Sequence, residues 1–141
     1  MYPNLFLPPK PPNYIPPKPN VLERLDDLRT NTLLKKKSNP SLYTTINPLF
    51  TPLLNPPYNL SPATVLIYSN LRATAIKIKS KSPTDKQTYL TCATMNDIGV
   101  LSDLSTDSGS IWYHKDKLKK AGLVEVYRTF ERYKIHKIYG I

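Results

Sequence analysis

The distribution of proline is the feature that most constrains how this chain folds. Fourteen of the 15 prolines lie at or before Pro62, and only Pro83 follows. Proline fixes the backbone φ angle and donates no backbone hydrogen bond, so a proline-rich segment is a poor interior for a helix or a sheet. The sequence therefore predicts an extended, partly polyproline II arm over residues 1–60 and a folded domain over residues 61–141.

Two stretches of the arm carry apolar side chains. Leu22 and Leu25 give an apolar stripe, and Asn20 and Glu23 have the spacing of a capping box, which predicts a short helix near residues 21–34. Residues 38–60 are richer in leucine than a disordered linker, so we expect them to lie on the domain's own surface or on another subunit. We expect the helix to anchor the arm on a partner protomer.

The folded part begins at Ser61, a good N-cap, followed by Pro62, which suits the first position of a helix. Apolar residues on more than one face predict a first helix over residues 62–79 that packs on both the core and a second chain. The later elements are a strand over 88–91 that pairs with the last hairpin, a helix over 95–104 capped by Thr94, a helix over 108–121 and a hairpin over 123–140. This order makes the fold class α+β.

The stretch from Ser102 to Arg128 carries a family resemblance. A helix ends, a short polar turn follows, and a basic helix stops at a glycine and runs into a strand. The sequence Ala121-Gly-Leu-Val124, preceded by Tyr113, His114 and Leu118, resembles the winged helix-turn-helix DNA-binding domains of the ArsR/MarR type. The resemblance covers the folded part and none of the arm. It implies three helices and a β-hairpin wing, with helix 108–121 in the DNA major groove and the wing along the backbone.

The resemblance also implies which side chains contact DNA. On the helix the candidates are Ser108, Ser110, Trp112, Tyr113 and Lys117, with Lys119 and Lys120 adding charge, and on the wing they are Arg128, Arg132 and Lys134. Trp112 lies beside the inner stripe, so a buried Trp112 is an equal alternative. His114 matches a family position that serves packing and hydrogen bonding. Lys115 departs from the family's leucine, so its ammonium must reach outward or the helix must be rotated.

The net charge favours an anionic partner. The chain has 20 basic and 10 acidic residues, a formal charge of +10, and residues 108–141 hold 8 basic and 3 acidic residues. A surplus of this size usually indicates nucleic acid, here double-stranded DNA, although solubility alone is the alternative. Half of the surplus lies on the two elements that the resemblance turns towards DNA.

The sequence contains no motif that is typical of an enzyme or of a metal-binding protein. We find no glycine-rich phosphate loop, nucleophile elbow or paired acidic motif, so we expect no enzyme, no metal and no cofactor. The single Cys92 excludes a disulfide within the chain. Early prolines break any signal peptide, and no apolar run is long enough to span a membrane. We expect a cytoplasmic protein, nucleoid-associated or, in a viral context, in the host cytoplasm or virion.

The leading hypothesis is a DNA-binding transcriptional regulator. It acts as a homodimer or higher assembly, formed through the arm and the first helix, because two half-sites compensate for the small DNA surface of one domain. Two alternatives remain. One is a structural DNA-coating or packaging protein, for example of an archaeal virus, whose arm latches neighbouring subunits. The other is a winged-helix protein-interaction module of the transcription machinery.

Overall fold

The computed structural model describes residues 21–78, 86–104, 110–130 and 133–141. Within these ranges the fold is α+β, with five helical segments and one four-stranded antiparallel sheet. The elements are α1 (Val21–Ser38), a 3-10 helix (Pro48–Leu54), α2 (Pro62–Ala73), β1 (Ile76–Ile78), β2 (Thr88–Thr91), α3 (Met95–Ser102), α4 (Ser110–Lys120), β3 (Val124–Phe130) and β4 (Tyr133–Tyr139). Among the described helices, none is long and apolar enough to cross a membrane.

The sheet has the strand order β1-β2-β4-β3. The β3–β4 hairpin confirms the predicted hairpin, and β2 pairs with β4, as expected for residues 88–91. Alternation of side chains along a strand gives the sheet two faces. Val124 and Ile138 on one face join the core formed with α2, α3 and α4. Leu90 and Ile135 on the other face pack against α1.

The main core is centred on α2. Tyr68 is fully buried there, and its hydroxyl donates a 2.5 Å hydrogen bond to the backbone oxygen of Tyr139. Ile111 and Leu118, seven residues apart on α4, are also buried in this core. Two turns of helix bring such residues to one side, so α4 is held to α2 by its apolar stripe.

Helix α1 lies on its own chain. Leu25 is fully buried against Leu90, Cys92 and Ile135. Arg29 donates hydrogen bonds from Nε and Nη2 to the two carboxylate oxygens of Asp97 in the first turn of α3, at 2.5 and 3.2 Å. The predicted helix is confirmed, but it ends at Ser38 instead of residue 34, and its apolar face covers the sheet of the same chain.

The 3-10 helix belongs to the same core. The side chain of Asn47 accepts a hydrogen bond from the backbone N–H of Leu49, and Pro48 occupies an early helical position. Phe50 and Leu53 are buried, and the Phe50 ring packs edge-on against Tyr68 with ring centroids 5.1 Å apart. The extended chain expected before Ser61 is therefore interrupted by this 3-10 helix, and the expectation that residues 38–60 lie on the domain's own surface is confirmed for Phe50 and Leu53. Residues 1–20 lie outside the described residues.

The predicted first helix, 62–79, is wrong beyond Ala73. Ser61 caps α2 as expected, but Thr74 ends the helix and β1 follows. The hydroxyl of Thr74 is buried within hydrogen-bonding distance of the backbone oxygen of Asn70 and of the Thr91 hydroxyl on β2. The chain thus leaves the helix where it can pair with β2. The second side of α2 is covered by the 3-10 helix of the same chain.

The two remaining helices are close to their predicted positions. Thr94 caps α3 and forms a full capping box with Asp97, but α3 ends at Ser102, two residues before the expected end, because Asp103 takes a left-handed conformation (φ 54°). Helix α4 stops at Lys120, and Gly122 supplies the positive φ of 75° that turns the chain into β3. The predicted turn over 105–107 and the start of the helix at Ser108 lie outside the described residues.

Candidate nucleic-acid interface

Helix α4 places its apolar stripe on the core and leaves two flanks to solvent. One flank faces the β3–β4 hairpin and contains Trp112 and Lys119. The other faces the start of α2 and contains Tyr113 and Lys117. Ser110 is exposed in the first described turn. All six predicted helix contacts that the structure describes are therefore exposed, but they lie on two different sides of α4.

The hairpin flank carries a concentrated positive charge. Trp112 is 51% exposed, which decides between the two expectations for this residue in favour of exposure. Lys115 is only 8% exposed, and its Nζ lies 4.5 Å from the centroid of the Trp112 ring. Burial lowers the pKa of Lys115, as do the neighbouring charges of Lys134 and Lys119. Lys115, Lys119 and Lys134, hereafter the basic cluster, thus join α4 to β4.

The position of Lys115 answers the expectation raised by its departure from the family pattern. The side chain lies inward, and an aromatic face takes the place of a carboxylate, because no ion pair to Lys115 exists among the described residues. A cation over an indole ring is stabilised by the negative face of the ring. Ile111 and Leu118 are buried beside Lys115, so the lysine is accommodated at the edge of the apolar stripe with its ammonium over the Trp112 ring.

The second flank of α4 joins the start of α2. Tyr113 is 58% exposed, and Lys117 Nζ lies 5.3 Å from its ring centroid. His114 Nδ1 and Thr64 Oγ1 are 2.8 Å apart, and burial lowers the pKa of His114. The packing and hydrogen-bonding role expected for His114 is confirmed.

An acidic residue that the sequence analysis missed lies between the flanks. Asp116 forms an exposed ion pair with Lys120, with 3.0 Å between Oδ2 and Nζ. The i,i+4 spacing of the two residues was a signal for this pair. Since the carboxylate compensates Lys120, this lysine contributes less to anion attraction than Lys117 or Lys119.

The hairpin does not gather its predicted basic residues on one face. Tyr127 is an extra residue between Val126, which pairs with His136, and Arg128, which pairs with Ile135. Paired residues in antiparallel strands share a face, so Arg128 lies on the face of Ile135, whereas Lys134 lies on the face of His136. The structure thus separates Arg128 from the basic cluster. Ser108 and Arg132 lie outside the described residues.

Comparison with known protein families, curated proteins and solved structures finds no match to this chain. The described residues contain no group of three or more histidine, cysteine or acidic side chains placed to hold a metal ion. Two exposed aromatic rings stand beside uncompensated lysines, an arrangement suited to phosphates and to the faces of sugars or bases.

Proposed function

We propose that the protein is a winged helix-turn-helix DNA-binding regulator that contacts duplex DNA with α4 and the hairpin. The observation that carries the proposal is the basic cluster, which joins the exposed flank of α4 to β4. In a winged helix a recognition helix and the following hairpin meet the same duplex. A continuous positive surface across these two elements is what such docking requires.

The order of elements supports the same proposal. Helix α2, strands β1 and β2, helices α3 and α4, and the hairpin follow one another, and β2 pairs with the second hairpin strand. Helix α4 leaves Trp112 and Tyr113 exposed, and these residues are the proposed readers of base edges or sugars. Lys117, Lys119 and Lys134 are the proposed phosphate contacts.

The packaging alternative required a free arm that latches neighbouring subunits. Helix α1 packs on the sheet and the 3-10 helix packs on α2 of the same chain, so the described part of the arm gives this alternative no support. The interaction-module alternative is favoured by one observation, the exposed Asp116 at the centre of the outer face of α4. A carboxylate at this position repels phosphate and suits a basic protein partner.

The test is the salt dependence of binding to short duplexes of random sequence. Three phosphate contacts predict that the logarithm of the association constant falls against the logarithm of salt concentration with a slope of about −3. Lys119→Gln and Lys134→Gln should each make the slope shallower by about 0.9. Lys137→Gln is the matched control, because this substitution removes the same charge from the opposite face of the sheet.

The outcomes separate the candidates. Equal effects of Lys134→Gln and Lys137→Gln would show that the duplex responds to net charge alone and would refute docking on α4 and β4. An absence of salt-dependent binding would favour the interaction module. Selection of a consensus from the random duplexes supports a regulator, whereas saturation of long DNA without preference supports packaging.

The homodimer is part of the proposal and needs a surface of its own. Leu34 and Leu42 remain exposed beside each other on the outer side of α1, away from the basic cluster. Exposed apolar patches on soluble proteins commonly mark association sites. We assign dimerisation to this side of α1, and sedimentation of the full chain with and without duplex tests it.

A further inference from the structure

A pocket of about 310 Å³ opens between α3, α4 and β4. Its walls are formed by residues from the start of α3, from the first turn of α4 and from one face of β4, namely Thr94, Met95, Asn96, Ile111, Trp112, Lys134 and His136. Most of the lining is apolar, with a few convergent polar groups, as in pockets that bind small molecules. No residue of this lining is acidic.

His136 is the unusual member of the lining. It is only 2% exposed, and neither ring nitrogen has a hydrogen-bond partner among the described residues. A buried imidazole without partners is costly, because both its donor and its acceptor have lost water. The ring lines the pocket with both nitrogens shielded, so a ligand that draws the imidazole towards the pocket and supplies hydrogen-bonding atoms would remove this cost.

The charge around the pocket indicates what those atoms are. Lys134 lies at the exposed rim. Burial lowers the pKa of the His136 imidazole, and the nearby charges of Lys115 and Lys134 lower it further. Asp97, the acidic residue nearest along α3, is bound by Arg29 on the side of α1. Two lysine charges, with no carboxylate among the described residues that line the pocket, match a dianion better than a monoanion. A phosphate monoester carries a charge between −1.5 and −2 near neutral pH and offers three acceptor oxygens.

The apolar walls indicate what the phosphate is attached to. Trp112 presents a flat indole, and Ile111 and Met95 line the same space. We propose that the pocket binds a small phosphate monoester with a planar apolar group, with the phosphate at Lys134 and His136 and the planar group against Trp112. The phosphate has two possible sources, a free organic phosphate and the 5′-phosphorylated end of a nucleic-acid strand.

Trp112 is the only tryptophan of the chain, so its fluorescence reports on this pocket alone. Titration of the full chain with phenyl phosphate should give a saturable change. Phenol, which lacks the phosphate, and inorganic phosphate, which lacks the ring, should each bind at least about tenfold more weakly. The titration needs no DNA, so its result is independent of the function proposed above.

Two variants test the placement of the phosphate. Lys134→Gln should weaken binding of phenyl phosphate about tenfold, because a charge-assisted hydrogen bond is lost. Lys137→Gln, with the same change in net charge on the opposite face of the sheet, should change it less than about twofold. Saturating phenyl phosphate should also raise the pKa of His136 from about 4, measured by NMR of its imidazole, and leave that of His114 unchanged.

The source of the phosphate is decided by competition. If the natural ligand is a strand end, a short single strand with a 5′-phosphate should displace phenyl phosphate better than the same strand with a 5′-hydroxyl. Equal competition by the two strands would assign the site to a free organic phosphate. The proposal is overturned if phenyl phosphate gives no saturable change, if inorganic phosphate binds as tightly as phenyl phosphate, or if the two lysine variants lose affinity equally.

Discussion

Replacing Arg29 with methionine removes the ion pair that fastens α1 to the first turn of α3. The guanidinium donates two hydrogen bonds to Asp97, and the side chains are 27% and 10% exposed. A hydrogen bond to a charged group contributes about 1.5–3 kcal/mol, and the partial exposure of Arg29 favours the low end. We expect the free energy of unfolding to fall by about 2 kcal/mol and the melting temperature by about 6–10 °C at neutral pH.

The pH dependence of this effect identifies its cause. Burial raises the pKa of Asp97, but the hydrogen bonds from Arg29 and Thr94 outweigh it and hold the pKa below its usual value. The carboxylate therefore contributes stability above the pKa of an unfolded aspartate, and this stability is lost as pH falls through the lowered pKa. The difference between the two proteins should shrink in that acidic range.

Asp26→Asn is the matched control for Arg29→Met. Asp26 forms a longer, more exposed contact with the same guanidinium, with 3.4 Å between the charged atoms. Such a surface pair contributes less than about 1 kcal/mol, so Asp26→Asn should remain close to the wild type. Urea unfolding at several pH values measures both variants. A stability of Arg29→Met within about 0.5 kcal/mol of the wild type, or a difference that does not change with pH, would refute the docking of α1 described above.

Two further predictions concern the core and the buried histidine. Phe50→Ala should lower the free energy of unfolding, measured in urea, by about 3–5 kcal/mol. Leu49→Ala, at a neighbouring side chain that is 72% exposed, should lower it by less than about 0.5 kcal/mol. Equal effects of the two substitutions would mean that the folded unit begins at residue 61. Burial lowers the pKa of His136 from 6.5 to about 4, so its imidazole binds a proton more tightly in the unfolded chain than in the folded protein. The free energy of unfolding should therefore fall by about 3 kcal/mol as pH falls from 6.5 to about 4. His136→Leu should remove most of this loss and His114→Gln should not, and an unchanged loss in His136→Leu would contradict the buried, neutral imidazole.

Local signals predicted the part of the fold in which neighbouring residues determine structure. Ser61 and Pro62 begin α2, Thr94 begins α3, and Gly122 ends the turn after α4, because caps and left-handed turns depend on a few adjacent residues. The alternating β-branched residues of the last hairpin were equally informative. These elements were predicted to within a few residues.

Contacts between distant residues decided the rest. Ile76 and Ile78 fit the spacing of a helix, but they form β1 because β2 offers a strand to pair with. The pairing joins Ile76 to Leu90, 14 residues later in the sequence. The ion pair of Arg29 with Asp97 joins residues 68 apart in the sequence. Proline in the first half predicts an extended chain, yet Pro48 and Pro52 occur within a short 3-10 helix whose apolar side packs on α2.

The candidate site depends on a β-bulge in β3 that the sequence does not predict. Shifting a strand by one residue exchanges the faces of all later side chains. The extra residue Tyr127 makes such a shift within β3, so Arg128 leaves the face that Lys134 occupies. Without this bulge Arg128 would share the face of His136 and extend the basic cluster. The positive surface is instead built from α4 and β4, and Lys115, which looked like a misfit in the helix, supplies its buried centre.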